Sequence, residues 1–469
     1  MLTTDEIKKL IDLDRNSRKK AHARQGQKYY EGKHDILKYR MFYYNDDGQL
    51  TEDTYRSNVK IPHPFFTELV DQAVQYIMSG EKFAYSENAE LQAKLDEYFN
   101  NNEDFTASLS ELLTNCTSKG FGYMFAYKNE DDILCFQSAD TLNVVEVKPS
   151  DTADNREYVI YYYDEYNSKH DKSTRYIQVW DEQTVSYYVQ QNNSVVVFED
   201  IQEHNLYERG GKTYSKNFGF IPFFRLDNNK KQVSDLALVK DLIDDYDLMA
   251  SSLSNNLIDF DMPLYAIKGF DSNNLDELQT NLKTKKIIGL DDEGGVDVKT
   301  VDVPYQARQI KLELDEKNIY RFGMGLNING LRDTAATTNI AIKAAYSLLD
   351  LKCSKLEIRL KQFLRSIAKP VLDEINEREN TGYKLSDLYF EFRHEIMSNA
   401  LENSQIKQNE ANAKQTEINT LLNLADSLDD ETRMQKICEV LDIDYAEVKD
   451  KMPKSADNLL KSAEVILNE

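Results

Sequence analysis

One continuous stretch, residues 220–260, constrains the fold more than any other part of the chain. It opens with the apolar, aromatic-rich run 220–224, which is too short for a helix and predicts a strand. Residues 227–229 are Asp-Asn-Asn and predict a turn, and Ser234 followed by Asp235 is typical of a helix start. Apolar residues then recur at helical spacing: Leu236, Val239, Leu242, Ile243, Tyr246, Met249, Leu253 and Leu257. The stretch therefore predicts a strand, a turn and a long amphipathic helix in direct succession.

The predicted helix has two further sides. One is acidic and carries Asp241, Asp244, Asp245 and Asp247, and the other is a strip of small residues, Ala250, Ser251, Ser252 and Ser254. An ordinary amphipathic helix with one face in a core explains this pattern. Alternatively, the narrow strip allows identical helices to stand close together in a ring.

The composition is that of a soluble globular protein with two or more structural units. A length of 469 residues exceeds what one core usually serves, and 41% of the residues are hydrophobic and 29% charged. No apolar run approaches the roughly 20 residues that span a bilayer, and residues 1–20 lack the apolar core of a signal peptide. We therefore expect no membrane association and no secretion by that route. The four cysteines lie far apart and are expected to be reduced and buried.

The net charge of −24 excludes a conventional sequence-reading DNA-binding protein. Such proteins present a basic face, because much of their affinity comes from releasing the counterions of phosphate. An acidic protein can still surround DNA, since a channel that repels phosphate keeps contacts weak and allows sliding.

The N-terminal half predicts helices followed by a sheet. Residues 5–31 form a basic helical pattern that ends at Gly32, and its charges face either solvent or an acidic partner or nucleic acid. A second helix ends near Met78, and residues 87–118 predict two short ones. Strand patterns separated by turn residues follow at 123–127, 133–136, 143–147, 158–163, 176–180, 184–189 and 194–198. This spacing predicts an antiparallel sheet.

After the central helix, which Pro263 ends, the chain predicts a small mixed segment and a second helix. Residues 264–303 combine strand patterns with a short helix around 275–282. Residues 307–322 return to helix, with Ile310, Leu314 and Ile319 expected to face inward.

The remaining chain predicts a loop and long helices. Residues 323–339 are rich in glycine and small polar residues and predict a mobile loop. A long helix follows from residue 340 to about 376, with a kink expected at Pro370. Further helices are predicted over 400–450, one of them starting at Ser427 in a Ser-x-x-Asp pattern.

Four patches in this order resemble the portal proteins of tailed bacteriophages that infect Gram-positive hosts. They are YYEGKHDIL at 29–37, the strand-NN-SDL helix at 220–260, the helix-loop-NIAIK segment ending at 343, and SLDDET at 427–432. The resemblance covers nearly the whole chain and implies a multi-domain α+β portal fold. Its parts would be a wing (1–233), a first stem helix (234–260), a clip (261–305), a second stem helix (306–322), a tunnel loop (323–339), a long kinked helix with a return to the wing (340–400) and a crown (401–469).

The resemblance implies a structural protein, not an enzyme, with no cofactor and no metal. It would form a ring of twelve subunits at one capsid vertex of the virion, assembled in the host cytoplasm and without contact to a membrane. Its channel would pass double-stranded DNA during packaging and ejection, independently of base sequence. Its protein partners would be the terminase large subunit, a head–tail connector or adaptor, and the major capsid and scaffolding proteins.

The resemblance also implies three sets of site residues. The tunnel loop would bring Gly325, Asn327, Asn329, Gly330, Arg332, Thr337 and Thr338 to the DNA. The stem would line the channel with Asp241, Asp244, Asp245 and Asp247, and the clip would offer Lys283, Lys285 and Lys286 to a docking partner.

Two alternatives remain open, a metal-dependent nuclease and a non-viral scaffold adaptor built of helices and sheet. The sequence has no GxxxxGK[ST], no HExxH and no Cys–His pairing, and its six histidines are scattered. His63, between two prolines, is expected to be a turn residue. Asp244 and Asp245 are adjacent on a helix, so their side chains diverge and cannot share a proton.

Overall fold

The computed structural model describes residues 2–54, 56–149, 156–166, 173–191, 194–209, 212–260, 264–268, 295–299, 305–327, 339–394, 400–423, 429–441, 443 and 445. The chain divides into two compact units. The first comprises Met1–Asn329 and Ala345–Glu395, and the second comprises Gly330–Ala344 and Ile396–Glu469.

Helices open the first unit: α1 Thr4–Arg15, α2 Arg18–Tyr30, α3 Phe65–Ile77, α4 Ala89–Leu95 and α5 Glu103–Lys119. The single basic helix predicted over 5–31 is wrong, because the Ser17 side chain accepts the amide of Lys20 and starts a second helix. Gly32 ends α2 as predicted, with φ of +71°, and the next amide, that of Lys33, bonds the Lys28 carbonyl at 2.7 Å.

Two antiparallel sheets form the β-rich part, where the sequence predicted one. The five-stranded sheet has the order β10-β9-β8-β7-β6, from β6 Val144–Val147, β7 Tyr158–Tyr166, β8 Ser173–Trp180, β9 Thr184–Gln191 and β10 Ser194–Glu203. The three-stranded sheet has the order β13-β4-β5, from β4 Phe121–Lys128, β5 Leu134–Ala139 and β13 Phe223–Asp227. Every strand pattern predicted between 123 and 198 is a strand.

Short two-stranded pairs complete the β structure. They are β1 Phe42–Tyr44 with β2 Leu50–Glu52, β3 Ala84–Tyr85 with β16 Tyr389–Phe390, β11 Asn205–Arg209 with β12 Lys212–Lys216, and β14 Leu264–Lys268 with β15 Gly295–Lys299. The strand pattern at 264–267 is confirmed by β14. The short helix predicted around 275–282 and the strand pattern at 286–290 lie outside the described residues.

The core lies where the first helices cover the sheets. Ala23 of α2 packs with Phe121 and Phe223 of the three-stranded sheet, and Ile7 and Ile11 of α1 pack on the five-stranded sheet. α3 buries all of the residues predicted for its inner face, Leu69, Val70, Ala73, Val74 and Ile77.

The strand–turn–helix succession predicted for residues 220–260 is present with shifted bounds. The strand is β13, Phe223–Asp227, three residues later than predicted; it follows Pro222, which has no amide to give to a ladder. The Ser234 hydroxyl accepts the Leu236 amide at 3.1 Å and donates to the Ser118 carbonyl at 2.6 Å. This cap starts a 3₁₀ turn, Asp235–Leu238, and α6 then runs over Lys240–Phe260.

The remaining helices are α7 Tyr305–Gly323, α8 Asn339–Glu379, α9 Ala400–Asn423 and α10 Asp430–Leu441. α8 continues through Pro370. The cap of α10 is Asp429, whose carboxylate accepts the Thr432 amide at 2.9 Å, so the start predicted at Ser427 is two residues early. The cysteines are free, and only Cys135 is not buried. None of the helices within the described residues is both long and apolar enough to cross a membrane.

Candidate functional site

The carboxylates predicted to line a channel have different surroundings along α6. Asp241 is exposed, whereas Asp244 and Asp245 are partly buried. Asp244 accepts a hydrogen bond from Lys240 of the same helix, and Asp245 accepts one from Lys311 of α7 at 2.6 Å. Two of these charges are therefore balanced within the subunit, and that of Asp241 stays at the surface.

The groups that donate to Asp244 and Asp245 have raised pKa values, so they keep their protons and these hydrogen bonds are favoured. Burial raises the pKa of Tyr29, and its hydrogen bond to Asp244 raises it further, so the phenol remains a donor. Burial would lower the pKa of Lys240, but hydrogen bonds to Asp244 and Asp35 outweigh it and raise the pKa. The pKa of Lys311 is raised in the same way by Asp245 and Asp315, against the effect of burial.

Asp247 is fully buried, so its assignment to a channel lining is wrong. Its Oδ2 lies 2.6 Å from Nδ1 of His34, and its Oδ1 accepts the backbone amide of His63 at 2.8 Å and lies 2.9 Å from Nδ1 of that ring. The His34 ring stacks on Tyr29 with centroids 4.5 Å apart. Burial alone would raise the pKa of Asp247, but the hydrogen bonds from His34 and His63 hold it below its usual value. Asp247 thus ties α6 to two N-terminal segments, and His63 is more than a turn residue.

An extended segment, residues 57–63, runs along α6 in the opposite direction, and we call it the strap. Alternate amides of the strap donate to every fourth side chain of α6: Ser57 to Asp259 (3.2 Å), Val59 to Asn255 (2.7 Å), Ile61 to Ser251 (3.1 Å) and His63 to Asp247 (2.8 Å). The spacing fits because two extended residues rise about 6.6 Å and four helical residues about 6.0 Å.

The strap occupies part of the small-residue strip of α6. Ser251, within that strip, is 2% exposed and bonds the Ile61 amide. The short side chain is what lets an extended backbone approach the helix. At Ser251 the strip therefore serves contacts inside the subunit, not the close approach of a second α6.

The helix α7, which covers the range predicted as a second stem helix, faces inward with a different set of residues from the one predicted. Ile319 is buried as predicted, but Ile310 and Leu314 are 65% and 53% exposed, so their inward assignment is wrong. Besides Ile319, the buried positions are Asp315, Tyr320 and Gly323. Asp315 pairs with Lys311, and the Tyr320 hydroxyl donates to Glu68 of α3 at 2.5 Å. The inner side of α7 is therefore held by an ion pair and a tyrosine hydroxyl, and Ile310 and Leu314 form an apolar strip on its exposed side.

The start of the predicted tunnel loop is fixed against α3. The Gly325 amide bonds the Tyr320 carbonyl at 2.9 Å, and a Cβ on Gly325 would lie 2.2 Å from Cδ2 of Leu69. The amide and carbonyl of Leu326 both bond the Gln72 side chain, at 2.8 and 3.0 Å. Gly325 is therefore an anchor of this segment rather than part of a mobile loop, and Asn327 follows this anchor directly.

The other predicted site residues lie outside the described part of the chain. They are Asn329, Gly330, Arg332, Thr337 and Thr338 of the loop, and Lys283, Lys285 and Lys286 of the clip. β14 and β15 are the described strands within the predicted clip.

A cavity of about 800 Å³ opens where the two sheets meet α8. Much of its charged lining forms ion pairs, including Arg225 with Glu146, Lys128 with Glu374 at 2.5 Å and Lys216 with Glu377 at 2.8 Å. Within the described ranges, no three His, Cys, Asp or Glu side chains are grouped so that they could hold a metal ion. The cavity therefore offers structural ion pairs and no recognisable catalytic constellation.

Sequence reasoning missed the partners of α6. His34 and His63 lie 213 and 184 positions before Asp247, and no local pattern links them. One signal was present: Asp247, Ser251, Asn255 and Asp259 are polar residues at every fourth position, a regular stripe that predicts a long polar contact along the helix.

Comparison with known proteins relates nearly the whole chain to one group. A family model described as phage portal protein, SPP1 Gp6-like, matches residues 10–444. The chain is 27% identical over 365 residues to the portal protein of Bacillus phage SPP1, covering 77% of this chain and 71% of that protein. It is 25% identical over 421 residues to the portal protein of Clostridium phage phiCD119, covering 86% and 88%.

A solved structure described as the neck of native GTA particle computed with C12 symmetry is a more distant match. It has a TM-score of 0.41 at 12% identity and covers 80% of this chain and 89% of that chain. This likeness is too remote to support an argument about function.

Proposed function

The chain belongs to the family of phage portal proteins of the SPP1 Gp6-like type, and from this premise we propose how its parts act in a phage particle. It is a structural protein of the capsid and a component of the virion. The match over residues 10–444 carries this conclusion, because it spans both units of the chain.

We propose that twelve copies form a ring at one capsid vertex and that double-stranded DNA passes through it during packaging and ejection. The terminase large subunit and later a head–tail connector dock on the ring, and the major capsid and scaffolding proteins surround it. Assembly takes place in the host cytoplasm. A closed ring forms when one face of each subunit binds a different face of the next subunit and the rotation between neighbours closes the circle.

We propose that the segments have the roles of their counterparts in the family. Residues 1–233 form the wing, 234–260 and 306–322 the stem, and 261–305 the clip. Residues 323–339 form the tunnel loop, 340–400 the long helix with its return to the wing, and 401–469 the crown. In support, α6 and α7 pack together and are joined at one end by the paired strands β14 and β15.

Within the stem, we propose that Asp241 is the carboxylate that acts on passing DNA. It is exposed, whereas Asp244 and Asp245 are balanced by lysines and Asp247 is buried. A surface that repels phosphate does not hold the duplex in place. Contact then falls to the tunnel loop, through Arg332 as a cation and Asn327 and Asn329 as neutral hydrogen-bonding groups, with Gly330, Thr337 and Thr338 giving a small, polar surface.

At the far end of the stem, we propose that the clip meets the docking partners through Lys283, Lys285 and Lys286. Deleting residues 264–303 should leave the wing folded and abolish DNA packaging or tail joining. Infectious particles carrying this deletion at normal yield would contradict the assignment.

Electron microscopy of the purified protein, together with its mass in solution, tests the proposal. The expected result is closed rings with a mass near twelve times that of the 54.4 kDa subunit. A monomer at micromolar concentration that also forms no rings with capsid proteins would favour a scaffold adaptor. Metal-dependent nicking of plasmid DNA would favour a nuclease.

A further inference from the structure

The long helix α8 carries an exposed seam between residues 348 and 369. Positions spaced alternately by three and four residues over this range are all exposed, and such spacing keeps them on one face of a helix. The seam is about 31 Å long. Besides Gln362, it consists of three apolar residues, Leu348, Leu351 and Ile358, and three cations, Lys355, Arg365 and Lys369.

The charge of the seam is opposite to that of the protein. The chain has 81 acidic and 57 basic residues, yet no position of the seam is acidic. Within the described part of the chain, none of its three cations forms an ion pair. Leu351 and Ile358 are 61% and 64% exposed, so the first half of the seam is mainly apolar and the second half is basic. This surface fits an elongated partner that is apolar at one end and acidic at the other.

The strand β10 has that composition. Among the described strands it pairs only with β9, so it stands at an edge of the five-stranded sheet. Val196, Val197 and Phe198 are 40%, 64% and 50% exposed, and the sequence Glu-Asp-Ile-Gln-Glu follows over 199–203. No lysine or arginine among the described residues forms an ion pair with these three carboxylates. The strand spans about 30 Å, which is close to the length of the seam.

Two other exposed apolar groups of the subunit fit the seam less well. Each strand of the β1–β2 hairpin has three residues and spans about 10 Å at most, a fraction of the seam. The helix α6 exposes Leu257 and Ile258, but Asp244 and Asp245 on the same helix are already balanced by lysines of their own subunit. The strand β10 combines sufficient length, an apolar half and carboxylates that are not balanced in this way.

We propose that the seam of α8 receives the β10 edge of a second copy of this chain, the next subunit of the ring. The apolar residues come first along both elements, so a parallel alignment places apolar against apolar and the carboxylates of β10 beside Arg365 and Lys369. A contact of one seam with another would set cation against cation. The interface therefore uses two different faces, as a closed ring requires, and the inference rests on the proposed ring.

Cross-linking tests which surfaces meet and in which direction. In a Cys135→Ser background the other cysteines are buried, and Val197→Cys with Ile358→Cys should give a ladder of covalent oligomers with a short bismaleimide. The matched control, Val197→Cys with Lys369→Cys, moves the second thiol about 16 Å along the same seam and should give none. A ladder from the control pair alone, or from neither pair in intact rings, overturns the proposal.

Charge reversal gives an independent readout. Arg365→Glu with Lys369→Glu sets like charges against β10 and should raise the concentration at which rings dissociate by at least about tenfold. Adding Glu199→Lys with Asp200→Lys should restore the wild-type value. Lys230→Glu with Lys231→Glu makes the same change of charge at two other exposed lysines and should have no effect.

The outcomes separate this inference from the proposed function. Rings of normal stability after reversal of Arg365 and Lys369, or a loss that the changes in β10 do not restore, would overturn the inference while the ring stands. Normal rings that no longer enter capsids would identify a capsid protein as the partner of the seam and overturn it as well. A wild-type protein that forms no rings would reject the proposed function, and this inference with it.

Discussion

The amide of Ile61 donates a hydrogen bond to the hydroxyl of Ser251, at 3.1 Å and across 190 positions of sequence. Through this contact and its neighbours, the strap covers one side of α6 in the same subunit. The side of α6 that remains available to another subunit is therefore smaller than the sequence indicates.

Replacing Ser251 by alanine should weaken the strap. The Ile61 amide would lose its acceptor, which costs about 1 kcal/mol in the free energy of unfolding. Urea unfolding followed by circular dichroism measures the change. Ser254→Ala alters a partly exposed serine of the same helix and should change stability by less than about 0.5 kcal/mol. Equal losses in the two variants would show that the hydrogen bond contributes nothing.

Asp247→Asn should be the most damaging conservative change in α6. It removes the charge that holds His34 and His63, and disrupting a buried charged pair costs about 3–5 kcal/mol. Asp241→Asn, on the exposed side of the same helix, is the matched control and should be nearly neutral. A near-neutral Asp247→Asn would mean that the two histidines find other acceptors.

The difference in the free energy of unfolding between the wild type and Asp247→Asn should depend on pH. The pKa of Asp247 is lowered on folding, so its carboxylate stabilises the fold above its ordinary pKa of about 3.9, and this stabilisation is lost as the pH falls through the lower folded value. The gap between wild type and Asp247→Asn should therefore be steady near pH 5 to 6 and shrink below about pH 4. Unfolding in urea at each pH measures it, and a gap that grows on acidification would reverse the sign of the argument.

Gly325→Ala should destabilise the junction between α7 and α3. The new Cβ would lie 2.2 Å from a methyl of Leu69, and overpacking of this kind costs about 1–3 kcal/mol. Gly382→Ala has open space around it and should be neutral or slightly stabilising. Thermal unfolding of both variants separates a local clash from a general effect of losing glycine.

Arg332→Ala should impair DNA packaging or retention while rings still form, because the proposed loop contact would lose its cation. The wild-type ring itself should bind duplex DNA weakly and with little dependence on salt, because an acidic channel neutralises few phosphates. Each phosphate that a protein does neutralise makes the slope of log affinity against log salt steeper by about 0.9. Filter binding at several salt concentrations measures that slope. Nanomolar affinity with a steep slope would place the DNA contact elsewhere.

Local chemistry explains why much of the fold could be predicted. In the sequence, the strands between 121 and 203 are separated by segments rich in Asn and Asp, and α3 buries the face that its spacing predicts. Local patterns cannot assign strands to sheets, because β13 pairs with β4, about one hundred positions earlier, in a sheet that excludes β6 to β10.

The site was harder to predict for two physical reasons. Asp247 looks the same in sequence as Asp241, and only the histidines brought to it by the fold make it a buried ion. Ile310 and Leu314 were assigned to an interior on the rule that apolar residues face inward, but that rule has many exceptions, because a large part of any protein surface is apolar.

The contact between the strap and α6 sets a rule for insertions and deletions. Two residues of the strap and four residues of α6 differ in length by about 0.6 Å. Over the four contacts this mismatch adds up to less than about 2 Å, whereas a longer series of contacts would lose alignment. Removing one residue from 57–63 would turn the following amides away from the helix, whereas loss of two with four from α6 preserves the match. Natural relatives of this chain should therefore vary in length here only in such coupled steps.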